Sequence, residues 1–151
     1  MLVLVRAVLL SMVTSVVPIF ASSAVANQTP ATLDGVKVVQ ALDVKQHLDA
    51  GVPIIDTRAA AEYAESHIKG ARSVPYREKS AKSADFDAAQ DSFDLTKLPA
   101  DKSKPVVFYC NAGECWKSYK ASKVALAAGY KQVLWFRGGI PEWKSKGMAV
   151  Q

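Results

Sequence analysis

Residues 105–110, PVVFYC, form an apolar run with no polar break. A strand wet on one face alternates apolar and polar positions, so an unbroken run belongs to a strand covered on both faces, the usual condition of a parallel sheet. Similar short runs occur as VKVV (36–39), VPIID (52–56), ARSVPY (71–76) and QVLWF (132–136). Helical signals separate them. Asp43 caps a short helix through Leu48 that stops at Gly51, RAAAEYAESH (58–67) reads as helix, Ala121, Val124, Ala125 and Ala128 recur at helical spacing before Gly129, and GGIPEWKSKG closes with a turn and a short helix. Strand and helix in alternation specify an α/β domain with a mostly parallel sheet and right-handed crossovers, whose ligands sit beyond the carboxyl ends of the strands. Cys110 stands at such an end. Residues 77–104 are polar and interrupt the pattern; they are predicted as a surface excursion with one helical turn near DLTKL.

With 151 residues, half of them apolar, the chain can bury one ordinary core without metal or disulfide support. Its first stretch has one basic residue, Arg6, no acid, an apolar run over 7–21, and small residues at Ala24 and Ala26. That is a secretory signal pattern with cleavage after Ala26, and Ser11, Thr14, Ser15 and Pro18 make it a poor spanning helix. The expected organisation is a signal peptide at 1–26, a flexible linker at 27–35 and a domain at 36–151. The expected location is the periplasm, with no membrane attachment after cleavage. Cleavage removes Arg6 alone among charged residues and lowers the formal charge of +5 by one. The lysines are scattered rather than massed with aromatics, which excludes nucleic acid as the expected partner.

Cysteine usage is the anomaly. Small exported domains that depend on disulfides carry several, widely spread, whereas this chain has only Cys110 and Cys115, in CNAGECWKS. A bridge across so short a loop removes little chain entropy, so reactivity explains the pair better than stability. The order strand, cysteine, loop, helix lets backbone N–H groups and a helix N-terminus near Ser118 converge on the Cys110 sulfur, favouring the thiolate, a nucleophile inside an anion trap. Lys117, Lys120 and Lys123 are candidates to add positive potential at its mouth, and equally a solvated helix face. Two distant histidines beside two cysteines make a poor zinc set.

Along nearly all of its length after residue 26 the chain resembles a single-domain rhodanese. The matching pieces are IIDTR with Asp56 and Arg58, EYAESHIKGARSVP with Glu62, His67, Gly70, Ala71 and Pro75, VVFYC with Cys110, and FRGGIPEWKSKG with Gly138, Gly139 and Trp143. The resemblance implies a five-stranded, mostly parallel sheet flanked by helices. It also implies a sulfurtransferase in which Cys110 takes sulfane sulfur from a small donor such as thiosulfate, as a persulfide, and passes it to a thiol or cyanide-like acceptor, with no metal or organic cofactor. The substrate-binding set is then Asn111, Ala112, Gly113, Glu114, Cys115, Trp116, Lys117 and Ser118. Asp56 and Arg58 support local structure, with Glu62 a plausible partner for Arg58, and His67 is a hydrogen-bonding turn residue. Trp116 shields the loop or forms its rim; Trp135 and Trp143 are core and closing contacts.

Two departures from the family pattern bear on chemistry. The family loop is shorter and commonly ends in arginine, where here Lys117 lacks the planar fork and Glu114 adds a carboxylate, both weighing against thiosulfate as the donor. Cys115 is a candidate resolving thiol, which makes a dithiol/disulfide redox protein the alternative to sulfur transfer. Static pairing and simple packing of Cys115 stay open. Phosphatases of related fold are a weaker rival because this loop lacks arginine, and so is a non-catalytic binding domain. A periplasmic protein partner, docked by residues 77–104, is a further expectation.

Overall fold

The computed structural model describes residues 28–151. The signal peptide read over 1–26 lies outside the described residues. Five strands, β1 (Val36–Val38), β2 (Ile54–Asp56), β3 (Arg72–Ser73), β4 (Pro105–Tyr109) and β5 (Gln132–Phe136), form one sheet in the order β1-β5-β4-β2-β3, with every pairing parallel. The helices are α1 (Ala41–Asp49), α2 (Ala60–Glu65), α3 (Trp116–Ala127) and α4 (Gly139–Ser145). The chain thus has the expected five-stranded α/β fold.

The strand period of two explains why the central runs are apolar throughout. Val107, Tyr109, Leu134 and Phe136 pack with Val44, Ile140 and Trp143 of α1 and α4. Their neighbours Val106, Phe108 and Val133 pack on the other face with Ala121 and Ala125 of α3. Local chemistry then adjusts the ends. α1 starts at Ala41, and Asp43 acts from inside the first turn, its carboxylate accepting the Gln40 N–H at 3.0 Å. α3 starts at Trp116, before the expected Ser118.

Residues 77–104 hold two short 3₁₀ turns, Ala88–Gln90 and Leu95–Lys97, rather than one. Lys120 pins the segment to α3. Its ammonium, wholly buried, donates to the Ser80 hydroxyl at 2.8 Å and pairs with Glu78 at 2.9 Å. Lys123 donates to the Ala84 carbonyl at 2.7 Å. Both lysines are thus engaged with the excursion rather than with the cysteine loop, because they occupy the part of α3 that it covers.

Candidate functional site

β4 lies between β2 and β5, and its carboxyl end is fixed by both neighbours before the chain turns into the cysteine loop. The Tyr109 carbonyl accepts the Thr57 N–H at 3.1 Å and its hydroxyl at 2.9 Å. The Cys110 carbonyl accepts the Ile140 N–H at 3.1 Å from the start of α4. Gly139 makes that approach possible: its φ is +57°, and a Cβ there would collide with the Cys110 carbonyl oxygen.

Beneath the loop lies a buried polar cluster. Asp56, fully buried, accepts from the Arg58 N–H (2.9 Å), Nε (3.0 Å) and Nη2 (2.6 Å), and from the Tyr109 hydroxyl at 2.5 Å. Arg58 also donates to the Ser66 carbonyl at 2.7 Å. Burial works against the guanidinium charge, yet the Asp56 hydrogen bond and charge outweigh it and hold Arg58 above its ordinary value. The Tyr109 hydroxyl is pushed up, by burial first and by Asp56 second.

Glu62 is not mainly the partner of Arg58, as the sequence suggested, because Asp56 lies closer in the chain and takes the Nε–Nη2 edge of the guanidinium. Its carboxylate instead accepts the Ala59 N–H at 3.0 Å and the Asn111 side-chain amide at 2.7 Å, and lies 4.0 Å from the Lys117 ammonium. These contacts hold Glu62 below the usual carboxylate range, the Asn111 bond most and in spite of partial burial. One carboxylate thus ties α2 to both ends of the cysteine loop. His67 stacks on Tyr63 at 3.7 Å and shares a 2.8 Å hydrogen bond with the Tyr63 carbonyl, remote from the loop.

Cys110 and Cys115 are joined by a disulfide, with Cα atoms 6.2 Å apart. Cys110 is 1% exposed, whereas Cys115, the N-cap of α3, is partly exposed. The Cys115 N–H donates to the Ala112 carbonyl at 3.0 Å and closes the turn. Among the described residues the N–H groups of Asn111, Ala112, Gly113 and Glu114 donate no hydrogen bond. Glu114 is exposed and Ser118 is buried, its hydroxyl accepting the Trp135 indole N–H at 3.0 Å. Trp116 is 5% exposed and meets Tyr119 edge-on at 5.2 Å, so its ring packs into the fold beside the loop.

Sequence reasoning missed Arg137 and Thr29. The Gly113 carbonyl accepts both the N–H and the hydroxyl of Thr29, at 2.7 and 2.6 Å. Arg137, just past β5, holds that segment through the carbonyls of Thr29 (2.9 Å) and Pro30 (3.1 Å) and the Gln28 side chain (3.2 Å). Residues 28–30, within the stretch read as a linker, therefore lie against the cysteine loop. A cleft of about 310 Å³ opens at the same end of the sheet, between Ala59, Pro75, Arg77 and Lys117.

The family model of the rhodanese-like domain matches residues 40–146. A protein of Allochromatium vinosum named sulfurtransferase is 29% identical over 99 residues, covering 66% of this chain and 78% of that one. The mitochondrial protein HIGH ARSENIC CONTENT 1 of Arabidopsis thaliana is 28% identical over 120 residues, 80% of this chain and 69% of that one. The crystal structure of a Bacillus halodurans protein superposes with a TM-score of 0.59 at 23% identity, over 76% of each chain, a likeness of fold.

Proposed function

The chain belongs to the rhodanese-like domain family, and from that premise we propose that it is a sulfurtransferase carrying sulfane sulfur on Cys110. A relative named sulfurtransferase supports a role of that general type. The observation that carries the finer reading is the place of Cys110, at the carboxyl end of the central strand β4, heading a loop whose N–H groups at 111–114 are unengaged and which runs into α3. In the thiol state, the Cys110 thiolate attacks the outer sulfur of a donor of the thiosulfate class. A Cys110–sulfur bond forms, the donor's S–S bond breaks, and sulfite departs with the electron pair. A nucleophilic acceptor then removes the outer sulfur and returns the thiolate, which is covalent catalysis in two halves. The amides of residues 111–114 and the start of α3 stabilise the anion at each stage, and Asp56 and Arg58 hold the strand end beneath it.

The disulfide blocks this chemistry until it is opened. Reduced protein treated with thiosulfate or inorganic polysulfide gains one sulfur atom by intact mass, as does reduced Cys115→Ser, and Cys110→Ser gains none. Uptake by Cys110→Ser equal to wild type overturns the assignment. The disulfide itself favours a second reading, a dithiol/disulfide redox protein, which requires both cysteines for thiol exchange. Export is part of the proposal and is checked by N-terminal sequencing of the protein recovered from the periplasm.

A further inference from the structure

We propose that hydrosulfide is a sulfur source for this site and that the Cys110–Cys115 disulfide is the oxidant that accepts it. The proposal deepens the sulfurtransferase reading and rests on it. Three observations carry it: how the two sulfurs differ in exposure, how little room the loop leaves, and how its charges are placed.

The bond to be attacked is already made, and only one end of it is open. Cys110 as a residue is 1% exposed and Cys115 partly exposed, so on this proposal a nucleophile from solvent reaches the Cys115 side of the bond and expels Cys110. The unengaged N–H groups of residues 111–114 lie in the loop that Cys110 heads, and on this proposal they stabilise the departing thiolate.

Approach to that sulfur is narrow. Thr29 and Arg137 cover the loop at Gly113, and Glu62 ties it at Asn111. Four surface clefts of about 300 to 400 Å³ are present, and none of the four is lined by Cys110 or Cys115. The nearest of the four opens beside Lys117 rather than at the bond, and a nucleophile with one heavy atom has the least need of a groove there.

Charge selects in the same direction. Glu114 belongs to the loop and Glu62 adjoins it, while the Arg137 Nε and Nη2 groups are directed to residues 28–30. A dianion such as thiosulfate meets two carboxylates here, with the single ammonium of Lys117 and no free guanidinium fork to compensate. Hydrosulfide brings a single charge.

The loading step balances within the protein. Hydrosulfide attacks the Cys115 sulfur, a new S–S bond forms there, the Cys110–Cys115 bond breaks, and its electron pair stays on Cys110. Hydrosulfide sulfur is oxidised to the sulfane level and the disulfide is reduced. The Cys110 thiolate then attacks the outer sulfur of the Cys115 persulfide and carries it off as the Cys110 persulfide. Cys115 leaves as a thiolate at the N-terminus of α3, a position that stabilises a leaving anion, and takes a proton from water.

The test exposes the disulfide form of the protein to sodium sulfide without air, alkylates it, and reads intact and peptide masses. The expected result is one sulfur atom gained per disulfide opened, found on Cys110. Opening should be at least roughly tenfold faster with sulfide than with glutathione at equal thiolate concentration, because access limits the larger thiol. Prereduced protein, which holds no oxidant, should gain nothing from sulfide. A disulfide that survives sulfide, opens without retaining sulfur, opens as fast with glutathione, or leaves the sulfur on Cys115 overturns the proposal. Prereduced wild type treated with inorganic polysulfide runs in parallel. If it loads while the sulfide arm fails, hydrosulfide falls and sulfur transfer stands; if it does not load, the sulfurtransferase reading falls too.

Discussion

The Asp56 carboxylate, with no exposed surface, is matched atom for atom by Arg58 and the Tyr109 hydroxyl. Removing one partner from such a pair leaves the other charge buried, so Asp56→Ala should cost about 3–5 kcal/mol in urea unfolding. Glu62→Gln, on a half-exposed side chain that holds a loop rather than a buried charge, should cost about 1 kcal/mol or less and show itself in sulfur loading. Equal losses in the two variants would return Glu62 to the role of Arg58's partner. Gly139→Ala should destabilise by about 2 kcal/mol or more and impair loading of Cys110, since the added methyl meets the Cys110 carbonyl at a positive φ. At this scale Cys110, Asp56 and Arg58 were legible because each ends or follows an apolar strand run. Arg137 was not, because its partners lie more than a hundred residues away in a stretch without periodicity.

The elements around Asp91 show what patterning cannot reach. The central strands could be read from unbroken apolar runs, and α3 from its alanine spacing. Residues 77–104 read only as polar surface, although Asp91 accepts from the Lys79 and Ser80 N–H groups, the Ser80 hydroxyl and the Tyr76 hydroxyl, each at 2.7 to 2.8 Å. That network, with Lys120 beside it, joins residues of irregular backbone, where no period marks a partner. Burial would raise the Asp91 carboxyl, but the Ser80, Lys79 and Tyr76 donors prevail and hold it well below the usual carboxylate range. A depressed folded value contributes stability above the unfolded carboxylate value and loses it as pH falls toward the folded one. The unfolding free energy should therefore decline below about pH 4, and Asp91→Asn should flatten that decline. At neutral pH the same variant should lose about 1–3 kcal/mol. Limited proteolysis should then cut within residues 77–104 before the sheet. An unchanged acid limb in Asp91→Asn would mean that other carboxylates set it.

For the whole molecule, the disulfide poses the question of whether the pair holds the domain together or works. Both flanks of the loop are already secured by contacts that do not involve sulfur: Ile140 and Thr57 at the end of β4, Glu62 at Asn111, Thr29 at Gly113. The two main core clusters, on the faces of the sheet, include neither cysteine. Closing a loop of this size withdraws only about 2 kcal/mol of chain entropy from the unfolded state, less than a long cross-link would. Reduction should accordingly lower stability by about 2 kcal/mol or less in urea, with the fold intact by far-UV circular dichroism, while switching thiosulfate or polysulfide uptake from absent to complete. A bridge that mainly served stability would show the opposite balance, a large loss on reduction or outright unfolding, with no chemistry gained. Measured together on one preparation, the two effects separate a staple from a working couple, because the first depends on the length of chain enclosed and the second on which sulfur is set free.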